Sequence, residues 1–280
     1  MRAFHENRTY GKGLPVQIGR IRNISFLAHW HHDLEFMYVT EGSLQIGINY
    51  ETRVLKAGEF AFCGSGDIHY YDSSRGESEI IMIIFNPRLI GSPAGWPVEQ
   101  DFRSHFITSM DGMTVERQQA LEQLAPVMHA LYVEDQQAEP SEMIITGLLQ
   151  LLCGLVERHI PAGSSEQKRQ HRSTAHLKMM QELLDQLEQH CTQPLTLQDG
   201  ADYARMSVFH FSRFFKNVTG MGYNTYVNEL RIRRAEQQIV HTDERLLDIA
   251  LDCGFGNIRT FNRVFRQLRG CKPSDLRGKV

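Results

Sequence analysis

The chain has 280 residues, 41% apolar and 22% charged, with 15 Phe, 9 Tyr and a formal net charge of −3. That length suits two domains better than one core, and the composition excludes disordered and fibrous classes. The longest uninterrupted apolar stretch, Ile80 to Phe85, falls far short of the ~18 residues of a membrane span, so no membrane partner is expected.

The opening MRAFHENRTYGKG has no apolar segment, so no secretory signal is expected. Five scattered cysteines (Cys63, Cys153, Cys191, Cys253, Cys271) form no CxxC pair and read as reduced thiols of a cytoplasmic protein. Residues 1–174 carry 15 Lys and Arg against 21 Asp and Glu; residues 175–280 carry 15 against 12. An acidic first part joined to a basic last third points to nucleic acid as a partner of the latter.

The first hundred residues alternate apolar and polar between turn residues, which is the period of strands. The pattern predicts a strand at Leu34–Thr40, a turn at Glu41-Gly42 and a hairpin partner at Ser43–Asn49. Further strands are predicted at Phe60–Phe62, His69–Tyr71 and Glu79–Phe85, and short strands at this spacing make an antiparallel sandwich or barrel. From Val115 the period becomes helical, with stripes of Leu121, Leu124, Met128, Leu131 and then Ile145, Leu148, Leu152, Leu155. Such stripes either cover the open side of the sheet or form an antiparallel dimer seam, and the second reading predicts a homodimer.

The polar, aperiodic run from Pro161 to Thr174 makes 161–174 the predicted linker between domains 1–160 and 175–280. Helices are predicted beyond it at Leu177–His190, from Thr196 to Ala204 with Asp199 in a capping box, and from Ser207 to Gly220. Others follow at about Tyr223 to Val240, from a Thr242 cap to Cys253, and in a last helix ending at Gly270.

Within this part the chain repeats itself. Phe211-x-Arg213-x-Phe215-Lys216-x3-Gly220 returns 50 residues later as Phe261-x-Arg263-x-Phe265-Arg266-x3-Gly270. Each copy follows a short helix containing Ala201 or Ala250, so the unit is short helix, tight turn, longer helix: two helix-turn-helix motifs. The phenylalanines four apart face the core, and the arginine between them lies off that stripe.

The segment Leu195 to Arg277 resembles the DNA-binding domain of AraC/XylS-type transcription regulators. The resemblance rests on Ala201, Ser207, both phenylalanine-arginine repeats, Leu230-Arg231-x3-Ala235, Ile249-Ala250-x3-Gly254-Phe255 and Pro273. Gly200, Arg266 and Leu276 depart from the usual leucine, lysine and tyrosine, and Gly200 is expected to weaken its helix by about 1 kcal/mol relative to alanine. The resemblance implies base contacts by Val208, Phe209, Ser212 and Arg213 in the first recognition helix. In the second it implies Ile258, Arg259, Asn262 and Arg263, with Lys216 and Arg266 on phosphates. Val208 and Ile258 can alternatively be packing residues. A connecting helix of about 18 residues, roughly 27 Å, suits recognition helices one DNA turn apart, ~34 Å.

In the first domain, His29-x-His31-x3-Glu35-x6-Gly42 and Gly58-x5-Gly64-x-Gly66-x2-His69 resemble the two motifs of cupin barrels. The glycine usual before the first histidine is missing, and Gly64 stands where proline is usual. Three readings compete for His29, His31, Glu35 and His69: polar groups that bind a small effector, ligands of one divalent metal, or structural histidines. His32 is an alternative register for His31.

Together the resemblances imply an α+β multidomain chain, a cupin-like antiparallel barrel with two dimerisation helices followed by an all-α double helix-turn-helix domain. They imply a sequence-specific transcription regulator, an activator rather than an enzyme, with no required cofactor, controlled by a sugar or related metabolite. Its expected partners are double-stranded DNA, RNA polymerase and a second copy. The alternative is a metal-dependent cupin enzyme fused to a DNA-binding domain.

Overall fold

Alternating Ile, Val and Phe drive the first part of the chain into antiparallel sheet. The computed structural model describes residues 10, 13–92, 96, 104–108, 114–160 and 171–277. It divides after Leu177 into two units. In the first, β1 (Val16–Arg22), β7 (Ser78–Phe85), β3 (Leu34–Ile48), β5 (Phe60–Cys63) and β8 (Phe106–Ile107) lie side by side in that order. Strands β2 (Phe26–His29), β6 (His69–Asp72) and β4 (Glu51–Lys56) complete the barrel through the far half of β3.

Strand β3 therefore belongs to both faces. Its first half pairs with β5 and β7, and its second half with β4 and β6. The turn predicted at Glu41-Gly42 is instead a bend inside this strand. The ladder shifts register between Val39 and Glu41, and Gly42 sits at φ +72. A Cβ there would lie 2.0 Å from the Glu77 carbonyl oxygen, so a glycine is required where the strand turns the barrel's corner. The hairpin turn comes later, at Asn49-Tyr50, and leads into β4, a strand the sequence pattern does not mark.

Alternation along β3 divides the side chains between two cores. Met37, Val39, Leu44 and Ile46 pack inside the barrel with Leu55, Ile80, Met82 and Ile84. Phe36 points the other way, joining Phe60, Phe62, Ile81, Ile83 and Phe85 under helices α1 (Val115–Asp135) and α2 (Glu142–His159). Leu124, Met128, Leu131, Ile145, Leu152 and Leu155 are all buried in this second core. The predicted stripes are thus the lid of the sheet and not a dimer seam, because an outer face of phenylalanines must be covered within the chain.

The second part is helical: α3 (His171–His190), α4 (Leu197–Tyr203), α5 (Val208–Thr219), α6 (Tyr223–His241), α7 (Leu246–Asp252) and α8 (Ile258–Arg269), then a 3₁₀ turn at Pro273–Leu276. Helix α3 starts six residues before the predicted Leu177, so residues 171–174 of the predicted linker are helical; residues 161–170 lie outside the described residues. The capping box of Thr196 and Asp199 and the Ser207 cap are present. Thr242, predicted to open α7, instead closes α6: its hydroxyl donates to the Gln238 carbonyl, and α7 begins only after Arg245.

Leu152→Ala is expected to destabilise the first unit by about 2–5 kcal/mol, the cost of an unrefilled core cavity. Urea denaturation of the full chain measures it; a change below ~1 kcal/mol would place this residue outside the core.

Candidate functional site

Four polar side chains are buried together in the barrel. His29 ends β2, His31 follows in the connection to β3, Glu35 is the second residue of β3, and His69 opens β6. Their exposures are 2%, 1%, 1% and 0%. One metal-ligating atom from each lies within 4.8 Å of all the others, so the groups close on one another.

The backbone orients all three imidazoles the same way. Each Nδ1 lies 2.9 Å from a carbonyl oxygen two residues away, His29 on Leu27, His31 on Asp33 and His69 on Asp67. A carbonyl only accepts, so each Nδ1 carries the proton and each Nε2 is left for the interior. The Nε2 atoms of His31 and His69 stand 3.0 and 3.1 Å from Glu35 Oε2. On its other oxygen Glu35 accepts from the Tyr71 hydroxyl.

Burial alone would raise the Glu35 carboxyl, but the charge of His69 and hydrogen bonds from His31 and His69 hold it well below the usual carboxylate range. Burial pushes His69 down, yet the Glu35 charge together with the hydrogen bonds to Glu35 and to the Asp67 carbonyl outweighs it, and the imidazole is raised. At His29 the balance falls the other way: burial, then His69 and His31, outweigh the Glu35 charge and the Leu27 hydrogen bond and hold it well below its ordinary value.

His32 is exposed, with its ring edge-on to Trp30, so His31 is the inward residue of the pair. Tyr38 turns to the opposite face, as alternation requires, and meets His129 of α1. The sequence reading missed Tyr71, although it stands two residues after His69 and period-2 alternation sends both to one side.

In the second unit the repeat is written in structure as well as sequence. Ser207 and Asn257 cap α5 and α8, and Gly220 and Gly270 end them at φ +77 and +71. Phe211, Phe215, Phe261 and Phe265 are fully buried. Arg213 and Arg263 are exposed at matching positions, as are Lys216 and Arg266, and Phe209 and Arg259. Ser212 and Asn262 are half-buried, and so are Val208 and Ile258, of which Ile258 packs against the core around Phe261. The Arg213 guanidinium lies over the Phe209 ring, 5.8 Å from its centroid.

The turns between the paired helices differ by one residue. Arg205 (φ +53) and Gly254 (φ +85) occupy the left-handed position, 49 residues apart, whereas the recognition helices are 50 apart. Two further arginines have internal tasks. Arg231 donates to the carbonyls of Cys191 and Gln193, at 2.7 and 2.9 Å. Arg269 on α8 donates to Glu236 at 2.6 Å and to Glu229 at 2.9 Å on α6.

Residues 13–153 match the family model of an AraC-like ligand binding domain, and residues 201–279 match a helix-turn-helix domain. The HTH-type transcriptional activator RhaS of Citrobacter koseri is 26% identical over 94% of this chain and 92% of its own length. The regulatory protein SoxS of Escherichia coli is 31% identical over 38% of this chain and 99% of its own. The regulatory protein PocR of Salmonella typhimurium is 31% identical, and the match spans 43% of this chain and 40% of that protein.

Tyr71→Phe removes a donor from the buried Glu35 carboxylate and is expected to cost about 1–3 kcal/mol of stability with the fold retained. A thermal or urea melt unchanged from the parent chain would show that the hydroxyl is not supporting the carboxylate.

Proposed function

The chain belongs to the AraC family of DNA-binding transcription regulators, and on that footing we propose how its two units divide the work. It is a DNA-binding regulator with a ligand-binding domain ahead of a double helix-turn-helix domain. The reading of its mechanism is carried by one observation: two capped helices present the same pattern of exposed and half-buried residues at matching positions.

Two recognition helices enter successive major grooves. Arg213 and Arg263 read guanine edges, Asn262 reads adenine, and Phe209 and Arg259 flank them on the exposed surface. Ser212 hydrogen-bonds a base edge, and Val208 and Ile258, half-buried, give apolar contact near the helix starts. Lys216 and Arg266, a turn further on, meet phosphates and set register. His29, His31, Glu35 and His69 form the polar centre to which the barrel's ligand answers.

The chain works in the cytoplasm and recruits RNA polymerase as an activator; the name of its relative, the transcriptional activator RhaS, supports the activating sign alone. Among the described residues no helix is long and apolar enough to cross a membrane. A second copy docks on α2, whose outer side exposes Met143, Ile144 and Leu151. Gly147 and Gly154 lie on the same side with nothing within 4 Å of an added Cβ, which permits close approach of a partner helix.

A selection of binding sites from random DNA by the full chain tests the reading, and binding should weaken steeply with salt as phosphate contacts release counterions. Arg213→Ala and Arg263→Ala are each expected to cost about 1–3 kcal/mol and to relax preference at one base pair. Equal weakening on every sequence would demote them to phosphate contacts. Glu35→Gln should abolish the response of a promoter to the barrel's ligand while DNA binding persists; an unchanged response removes the cluster from the control site.

A further inference from the structure

The two helix-turn-helix turns are closed alike and filled differently. Helix α4 ends on a hydrogen bond from the Met206 amide to the Ala201 carbonyl, 2.9 Å, and α7 on one from Phe255 to Ala250, 3.0 Å. This closure puts the residue before the donor in the left-handed conformation, which glycine adopts without steric cost. The second turn has Gly254 there; the first has Arg205 at φ +53. Among the described residues the other non-glycine positions with positive φ are Asn23 and Asn49, and asparagine tolerates that region far better than arginine.

We propose that Arg205 is a DNA phosphate contact, a cation set in the first turn to hold the backbone beside the groove that α5 enters. It rests on the reading above that α5 and α8 are recognition helices.

Packing explains the glycine and leaves the arginine unexplained. A Cβ on Gly254 would lie 2.5 Å from the Thr192 carbonyl oxygen, so no side chain fits there. The Arg205 side chain is exposed, and among the described residues it has no hydrogen-bonding or ionic partner. The acid nearest in sequence, Asp202, accepts instead from Gln198 at 2.7 Å. Nothing inside the unit therefore offsets the left-handed strain, and strain of this kind is kept where a side chain acts on something outside the fold.

Position and charge identify that outside group. Arg205 stands two residues before Ser207, which caps α5, and so adds its charge near the positive end of the recognition helix. A helix that enters the major groove by this end lies between two rows of phosphates, whose oxygens match the guanidinium fork. The arginine also evens the two motifs. From turn to helix end the first exposes Arg205, Arg213 and Lys216, and the second Arg259, Arg263 and Arg266. Arg259 occupies the place of Phe209, and Arg205 restores the charge that this phenylalanine leaves out.

The test measures binding of the full chain to a duplex recovered by selection from random DNA and to an unrelated duplex of equal length, at about 50 and 200 mM salt. Arg205→Gly should weaken binding to both duplexes alike, because a phosphate contact carries no sequence information. It should also remove about 0.9 from the slope of log affinity against log salt, so that the ratio of parent to variant affinity falls about 3.5-fold across that range. Arg205→Lys keeps the charge and should keep the slope. With the left-handed side chain gone, Arg205→Gly should melt at or above the temperature of the parent. An unchanged slope, a loss confined to one base pair, or a lowered melting temperature would overturn the phosphate contact. A full chain that selects no duplex overturns the recognition-helix reading and this inference with it. A parent that binds while the Arg205→Gly slope stays in place overturns this inference alone.

Discussion

The structure of the first unit turns on one buried carboxylate. Glu35 is 1% exposed, and an ionised group that far from water survives only among partners that offset its lost hydration. Those three partners arrive from two places in the chain: His31 from the β2–β3 connection, His69 and Tyr71 from β6. All three depend on strand register. Glu35 pairs with Cys63 of β5 and Ile84 of β7, and its neighbour Phe36 with Phe62 and Ile83. A slip of one residue would drive the carboxylate into the phenylalanines under α1 and α2, and Phe36 into the polar cluster. The apolar core on one side and the polar centre on the other are therefore enforced by the same alternation.

Much of this was legible in the sequence, and the parts that were not share a physical cause. The histidines and Glu35 stand out because charged and imidazole groups interrupt apolar strands; the phenylalanine repeat stands out because its spacing is helical. Caps read correctly where the capping side chain and its target are three residues apart, as with Thr196 and Asp199. Reading fails where the deciding partner is distant in sequence. Gly42 looks like a turn residue, but the demand for it comes from the Glu77 backbone across the barrel. Helical stripes reveal that a face is buried without revealing against what, and Phe60, Phe62 and Phe85 supply the answer.

Gly200 makes the same point with the opposite sign. Judged locally it weakens α4, as any glycine in a helix does. In place, a Cβ there would lie 2.7 Å from the Phe211 ring and 2.9 Å from that of Tyr223. The missing side chain lets the recognition helix and the start of α6 close onto α4, so lost helix propensity is exchanged for aromatic packing. Arg231 and Arg269 likewise count toward the basic balance of the domain, yet each is committed to acceptors within the unit.

That commitment changes how the domain's charge should be weighed. With Glu229 and Glu236 paired to Arg269, those carboxylates offset a cation that has no other task, while Arg213, Lys216, Arg259, Arg263 and Arg266 remain exposed on the two recognition helices. The positive potential is thus concentrated where DNA is proposed to lie, more than a balance of 15 against 12 suggests. The two helices nevertheless differ in what they offer. Helix α5 presents an aromatic ring beside its arginine, and α8 presents a second guanidinium and an amide, which can each make two hydrogen bonds to one base. Under the proposed contacts, the two halves of one chain's site are unequal in sequence, with the half under α8 read by hydrogen bonds at more positions.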